Sequence, residues 1–149
     1  MMDTKYSMPT TSNILDVQVV LGNVVADWNR AGANWDEAAL AAVYTEDALM
    51  FGGRSIHSVG RKAIHAYFTS YKGVILAGAM EMSETEIRVL GNDCVLVQGM
   101  VNFTFTLAGG ELTNSRLRAT LILKQEPDRW RILDHHFSTI PVTPPIGKD

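Results

Sequence analysis

The chain of 149 residues is 46% hydrophobic and 19% charged, and it carries a formal net charge of −3. This composition is typical of one globular domain, and without an excess of lysine and arginine it excludes a basic surface for nucleic acid. The single cysteine, Cys94, excludes an internal disulfide, and no apolar run approaches the roughly 20 residues of a membrane-spanning helix, so we expect a cytoplasmic protein with no nucleic-acid or membrane partner.

The first part of the chain has the periodicity of an amphipathic helix. Residues 1–11 are polar and are predicted to form a flexible N-terminus. From Ser12 onward, apolar side chains recur at helical spacing, which predicts a helix that ends near Gly32. Trp28 lies on the apolar side of this helix, so we expect it to be buried.

Two more helices and a short strand are predicted before the pattern changes. Asn34 is followed three residues later by Glu37, which resembles a capping box and predicts a second helix reaching about Tyr44. A short strand, a loop and a third helix follow, at 48–51, 54–59 and 60–71.

The second half of the chain has the alternation of β-strands. Strands are predicted at about 79–90, 94–107, 113–125 and 129–140, and the short turns between them are typical of antiparallel neighbours. We therefore expect a single domain over 12–141 and a C-terminal tail over 142–149. Both faces of the middle strands carry apolar side chains, which favours a homodimer through the outer sheet face.

The hairpin formed by the last two strands organises the functional hypothesis. With a three-residue loop at 126–128, Thr120 would face Asp134, and Arg118 would face His136. Because side chains alternate between the faces of a sheet, these groups would share one face. They would lie above an apolar pair formed by Ile122 and Ile132, as the floor of a pocket.

The polar end of this strip has the residue types needed for acid–base chemistry. Arg118 and Thr120 would bind an anionic or carbonyl oxygen, His136 would titrate near neutrality, and Asp134 would hold or charge the imidazole. We expect a small carboxylate or an enolisable carbonyl compound as ligand. The alternative is that Arg118, Asp134 and His136 form a structural ion-pair network.

The expected pocket walls are aromatic or soft side chains, and each of them has core packing as its alternative role. The Tyr44 hydroxyl, beside the short strand, would donate to a substrate oxygen. His135 and His136 point to opposite faces of a strand and cannot chelate one ion, so no metal is expected, and no nucleotide-binding motif indicates a cofactor. The predicted wall residues are Trp28, Tyr44, Met50, Phe51, Tyr67, Phe68 and Tyr71.

The order of these elements, and the segments 40–53, 60–68 and 130–138, resemble the SnoaL-like proteins of the nuclear transport factor 2-like superfamily. The resemblance is strongest to the SgcJ/EcaC-type branch and to the association domain of calcium/calmodulin-dependent protein kinase II. It implies an α+β cone, in which three N-terminal helices pack on a strongly curved, mostly antiparallel sheet.

The resemblance also implies a range of functions. In the kinase association domain, an arginine and a histidine on the last two strands line a carboxylate pocket, and Arg118 and His136 match them. Ketosteroid isomerase carries its aspartate base just after the first strand, where this chain has Phe51 and Gly52, so a base would have to come from Asp134 or His136. We expect a cofactor-free isomerase, cyclase or dehydratase, or alternatively a non-catalytic ligand-binding or association module.

Overall fold

Residues 15–148, which the computed structural model describes, contain three helices. The predicted N-terminal segment lies outside these residues, as does the start of the predicted first helix. Asp16 caps the first helix, because its carboxylate accepts from the backbone N–H groups of Gln18 and Val19. The helices are α1 (Val17–Gly32), α2 (Glu37–Ala41) and α3 (Arg61–Thr69).

The predicted cap and end of the second helix are both wrong. The N-cap is Asp36 rather than Asn34: Asp36 has an extended backbone, and its carboxylate accepts from the N–H of Ala39 at 3.0 Å. Trp35 adopts a positive φ of 45°, so Asn34 lies in the turn before the cap. The helix ends at Ala41, and Tyr44 begins a strand instead.

Six strands form one curved, open sheet in the order β2-β1-β6-β5-β4-β3. The pairing of β1 with β6 is parallel, and the other pairings are antiparallel. The predicted loop at 54–59 contains a short edge strand, in which His57 pairs with Phe51. The strands are β1 (Tyr44–Phe51), β2 (His57–Val59), β3 (Ile75–Gly91), β4 (Cys94–Leu107), β5 (Leu112–Gln125) and β6 (Trp130–Ser138).

The hairpin of β5 and β6 has a different register from the predicted one. Arg118 faces Ser138, Thr120 faces His136 and Ile122 faces Asp134, a shift of two residues. The turn takes one more residue than expected, since the N–H of Glu126 donates to the carbonyl of Arg129 at 2.9 Å.

A bulge in β6 adds the rest of the shift. The pairing becomes irregular between Ile122 and Leu123, where Leu133 is the extra residue in the opposite strand. Ile132 consequently pairs with Leu123 and is fully buried, so it does not share a face with Ile122 as predicted.

The core lies between the helices and one face of the sheet, here called the inner face. Asn29 fixes α1 to β3, because its amide donates to the carbonyl of Met80 at 3.0 Å and accepts from the N–H of Met80 at 2.8 Å. The predicted α+β cone is confirmed. The core-facing sheet residues with no exposed surface include Val95, Val97, Val101, Leu121, Leu123 and Ile132.

Candidate functional site

The predicted polar strip lies on the outer face of the sheet, away from the helices. Arg118 and His136 are exposed and, with Thr120, line an open groove. Arg118 Nε donates to Ser138 Oγ at 3.3 Å, which follows from the register that sets these residues opposite each other. Arg118 and His136 therefore share one face, as predicted, but the predicted pocket floor is wrong, because that face is the outer face of the sheet.

Asp134 and Phe51 belong to the same outer face. Phe51 is 42% exposed, stacks on His57 with 4.1 Å between ring centroids, and tilts against His136 at 5.2 Å. Partial burial raises the pKa of Asp134, while electrostatic interaction with His136 and His57 acts in the opposite direction. Phe51 was predicted to be a wall of an interior pocket. It belongs instead to an aromatic cluster on the outer face, with His57 and His136.

A partly open cavity of about 150 Å³ lies on the inner face of the sheet, beneath α1 and α3. Its walls are mostly aromatic, and Trp28, Trp35 and Phe68 meet edge to face, with centroid distances between 5.7 and 6.2 Å. The structure brings together six of the seven predicted wall residues here: Trp28, Tyr44, Met50, Tyr67, Phe68 and Tyr71.

A buried chain of hydrogen bonds ends at this cavity. Trp28 Nε1 donates to the Tyr44 hydroxyl at 3.2 Å, and the hydroxyl lies 2.7 Å from His135 Nδ1. Burial lowers the pKa of His135 to about 3, with His136 a smaller cause, and burial raises the pKa of Tyr44. Both groups are therefore neutral at physiological pH.

His135 was not among the predicted site residues. It is 1% exposed, lines the cavity and packs against Phe137 at 4.8 Å between centroids. Its neighbour His136 points the other way, as the alternation of a strand requires. The signal available in the sequence was the greater apolarity of the alternate positions Leu117, Leu121 and Leu123, which marks the face that His135 shares.

The loop after β1 closes one side of the cavity through two glycines. The N–H of Gly53 donates to the Tyr67 hydroxyl at 2.9 Å, and a Cβ on Gly52 would lie 2.7 Å from that oxygen. Gly53, Ser115 and Leu117 line both the cavity and an open groove outside it. The mouth of the cavity therefore lies between this loop and the start of β5.

Neither a metal centre nor a membrane segment is found in the described part of the chain. Across 15–148, histidine, cysteine and acidic side chains do not gather in threes or more at a geometry suited to an ion. None of the helices α1 to α3 has the length and apolarity needed to cross a bilayer.

Comparisons with known proteins agree on a family and on a fold. The model of the family described as SnoaL-like domain matches residues 21–143. No curated protein matches the chain. A solved structure from Xanthomonas campestris, a candidate calcium/calmodulin dependent protein kinase II association domain, has a TM-score of 0.73 and 22% identity, over 83% of this chain and 87% of that one.

Two further structures with the same fold carry enzyme names. A candidate scytalone dehydratase from Novosphingobium aromaticivorans has a TM-score of 0.70 and 14% identity, over 94% of this chain and 99% of that one. A ketosteroid isomerase-like protein from Erwinia carotovora atroseptica has a TM-score of 0.65 and 20% identity, over 85% and 98%. At such low sequence identities the similarity concerns the fold, and the enzyme activities in these names are not inferred for this chain.

Proposed function

The chain belongs to the SnoaL-like domain family, and on that premise we propose that it holds a small organic molecule in the inner cavity, with His135 as the polar contact. The single observation that carries this proposal is the buried His135 imidazole at the end of the hydrogen-bond chain that runs from Trp28 through the Tyr44 hydroxyl. Small-molecule sites are usually concave and apolar, with a few polar groups that orient the ligand. The aromatic walls and the His135 imidazole fit that description.

The proposed chemistry is cofactor-free and follows from a neutral imidazole. A carbonyl oxygen that accepts a hydrogen bond from His135 would be polarised, which stabilises the negative charge that develops on it in isomerisation, cyclisation and dehydration, and water at the cavity mouth would take the proton released from carbon. Among residues 15–148, those that line the cavity include no carboxylate, lysine or arginine. We therefore assign to His135 and Tyr44 the interior role that the sequence suggested for His136 and Asp134, and we keep the Arg118 groove as the candidate site for a carboxylate.

A matched pair of substitutions on successive residues of β5 tests the location of the ligand. Ser115→Phe places a ring at the cavity mouth, whereas Asn114→Phe places the same ring on the outer face, where Asn114 is exposed. We expect Ser115→Phe to abolish binding of benzaldehyde and Asn114→Phe to leave it unchanged. The measurement is an NMR titration that follows the indole N–H signals.

The three tryptophans provide the readout for this titration. Trp28 and Trp35 line the cavity, and Trp130 lies at the start of β6, outside the lining. A ligand in the cavity should shift the first two signals and leave that of Trp130 in place. Shifts that persist in Ser115→Phe, with its fold confirmed by thermal unfolding, would place the ligand elsewhere and contradict the proposal.

A second candidate function, an association module, is favoured by the outer face. Leu49, Phe51 and Val59 lie on the paired strands β1 and β2 and are 40%, 42% and 60% exposed. Such contiguous apolar surface is typical of a protein interface. The kinase association domain of similar fold supports this alternative. We propose a homodimer through this face.

The dimer can be tested with a charge placed at its centre. Phe51→Glu is expected to weaken self-association by about 30-fold or more, since removing a central aromatic anchor typically costs about 2 kcal/mol or more. Val19→Glu, at a residue that is 54% exposed on α1, is the control and should dimerise as the wild type does. Sedimentation equilibrium measures both. A monomeric wild type, or equal weakening by both variants, would count against the outer-face dimer.

A further inference from the structure

The hydrogen bonds of Tyr44 indicate which nitrogen of His135 carries the proton. An indole N–H can only donate, so the Tyr44 oxygen accepts from Trp28. Among residues 15–148, the partner available to the phenol proton is the Nδ1 atom of His135, at 2.7 Å. Nδ1 is accordingly an acceptor, and a neutral imidazole that accepts at Nδ1 carries its hydrogen on Nε2.

The Nε2–H group is presented to the cavity. No hydrogen bond joins Nε2 to another group within residues 15–148, in which Ser83 Oγ is the only enclosed side-chain polar atom without a partner. Because the buried ring lines the cavity and its Nδ1 atom is engaged by Tyr44, we take Nε2 to face the cavity.

The surroundings of His135 select against charge. Among the described residues, the titratable groups that line the cavity with it are Tyr44, Tyr67 and Tyr71, and burial raises the pKa of the Tyr44 and Tyr67 phenols. His136, the adjacent residue, points to the outer face. Arg54 stacks on Tyr71 at 4.1 Å but is exposed and donates to Ser70, so it does not belong to the lining. A carboxylate entering the cavity would lose its hydration without gaining a cation.

The size of the cavity limits the ligand as well. Its volume is about 150 Å³. A dry apolar cavity of roughly this volume accepts benzene. One six-membered ring with a short substituent therefore fills the space, and the aromatic side chains around it offer both faces and edges for contact.

On these grounds, and resting on the binding function proposed above, we propose that the cavity selects uncharged monocyclic compounds that carry one hydrogen-bond-accepting oxygen, which accepts from Nε2–H of His135, and that it rejects the corresponding carboxylates. The selection comes from one donor, the Nε2–H group of His135, because Trp28 and Tyr44 hold the imidazole in a single tautomer. Trp28 and Tyr44 thus have a positioning role in addition to their place in the cavity wall.

Three probes of similar size separate the parts of this proposal. Benzaldehyde has a ring and an acceptor, toluene has the ring alone, and benzoate has the ring and a charge. By NMR titration of the full chain we expect toluene to bind about three- to tenfold more weakly than benzaldehyde, as is typical for the loss of one hydrogen bond. Benzoate should bind roughly 100-fold more weakly or worse, because its charge would be buried unpaired.

The outcomes distinguish this inference from the binding function on which it rests. Benzoate that binds as tightly as benzaldehyde, and loses its binding in Ser115→Phe, would overturn the selectivity and leave an interior binding site. Binding of none of the three probes would overturn the binding function, and the selectivity with it. In His135→Phe, which keeps a ring but removes the donor, benzaldehyde should lose its advantage over toluene.

A measurement on the wild type decides the tautomer without any variant. The nitrogen chemical shifts of His135 should be those of a ring protonated at Nε2, and the Nε2 proton should move downfield when benzaldehyde is added. A ring protonated at Nδ1 would overturn the proposal even if His135→Phe does not fold.

Discussion

Lowering the pH from 7 to 4 is expected to remove about 3 kcal/mol of folding stability through His135 alone. Its pKa falls from 6.5 in an ordinary environment to about 3 in the folded protein, because burial disfavours the imidazolium. Between these two values the unfolded chain binds a proton that the folded chain does not. The stabilising effect of His135 is therefore fully present above pH 6.5, is lost as the pH falls, and levels off near pH 3.

Urea unfolding at a series of pH values measures this effect. The free energy of unfolding of the wild type should fall by up to about 1.4 kcal/mol per pH unit more steeply than that of His135→Gln. His65→Gln is the control, since His65 is exposed on α3, and its curve should run parallel to that of the wild type. The raised pKa of Asp134 acts in the opposite direction, with stability gained on acidification, but it is common to all three proteins.

The two proteins are compared by how steeply their free energy of unfolding changes with pH, not by its absolute value. His135→Gln also alters the hydrogen bond from Tyr44 and is expected to be less stable at every pH. If His135→Gln and the wild type lose stability in parallel between pH 7 and 4, the imidazole is protonated or hydrated in the native state. The neutral donor assigned to the cavity would then be lost as well.

The two consecutive histidines illustrate which part of the site the sequence could predict. Strand alternation correctly separates His135 from His136, and it places Arg118 and His136 on one face. It does not say which face is covered. The apolar side chains at alternate positions of β5, such as Leu121 and Leu123, are the stronger signal for the inner face, since burying them gains more than burying an arginine.

The bulge at Leu133 explains the rest of the error. Ile132 and His135 are three positions apart, so strict alternation would send them to opposite faces, yet both are buried. The extra residue changes the parity of β6 and allows both to face the core. A periodicity argument assumes a constant period along a strand and cannot include such a change. The third helix and the four long strands mostly keep one period, and they lie close to where the sequence predicts them.

The side chain of Tyr44, by contrast, lines the cavity as expected, but it comes from a different secondary-structure element. It was expected at the end of a helix and is instead the first residue of β1. Arg61 fixes it there, with Nε and Nη2 both donating to the Tyr44 carbonyl, at 2.9 and 2.7 Å. Contacts of this kind, made between residues far apart in the chain, have no local signature in the sequence.

Gly32→Ala is expected to destabilise the fold by about 3 kcal/mol or more, because α1 passes too close to β3 to accommodate a methyl group. A Cβ at Gly32 would lie 2.2 Å from the carbonyl oxygen of Gly78, a backbone atom that cannot rotate away. The end of α1 would have to move outward. Trp28, one turn earlier, would move with it and strain its 3.2 Å hydrogen bond to Tyr44.

The same substitution at Gly22, in the same helix, provides the matched control with the opposite sign. Gly22 is exposed, and a Cβ added there would meet nothing within 4 Å, so alanine should raise stability by about 0.5–1 kcal/mol through helix propensity. Urea unfolding compares the two, and the indole N–H signal of Trp28 reports whether the hydrogen bond to Tyr44 is weakened in Gly32→Ala. Equal stability of the two variants would mean that α1 is not held against β3 at Gly78, and the cavity would then lack the fixed wall that positions the His135 donor.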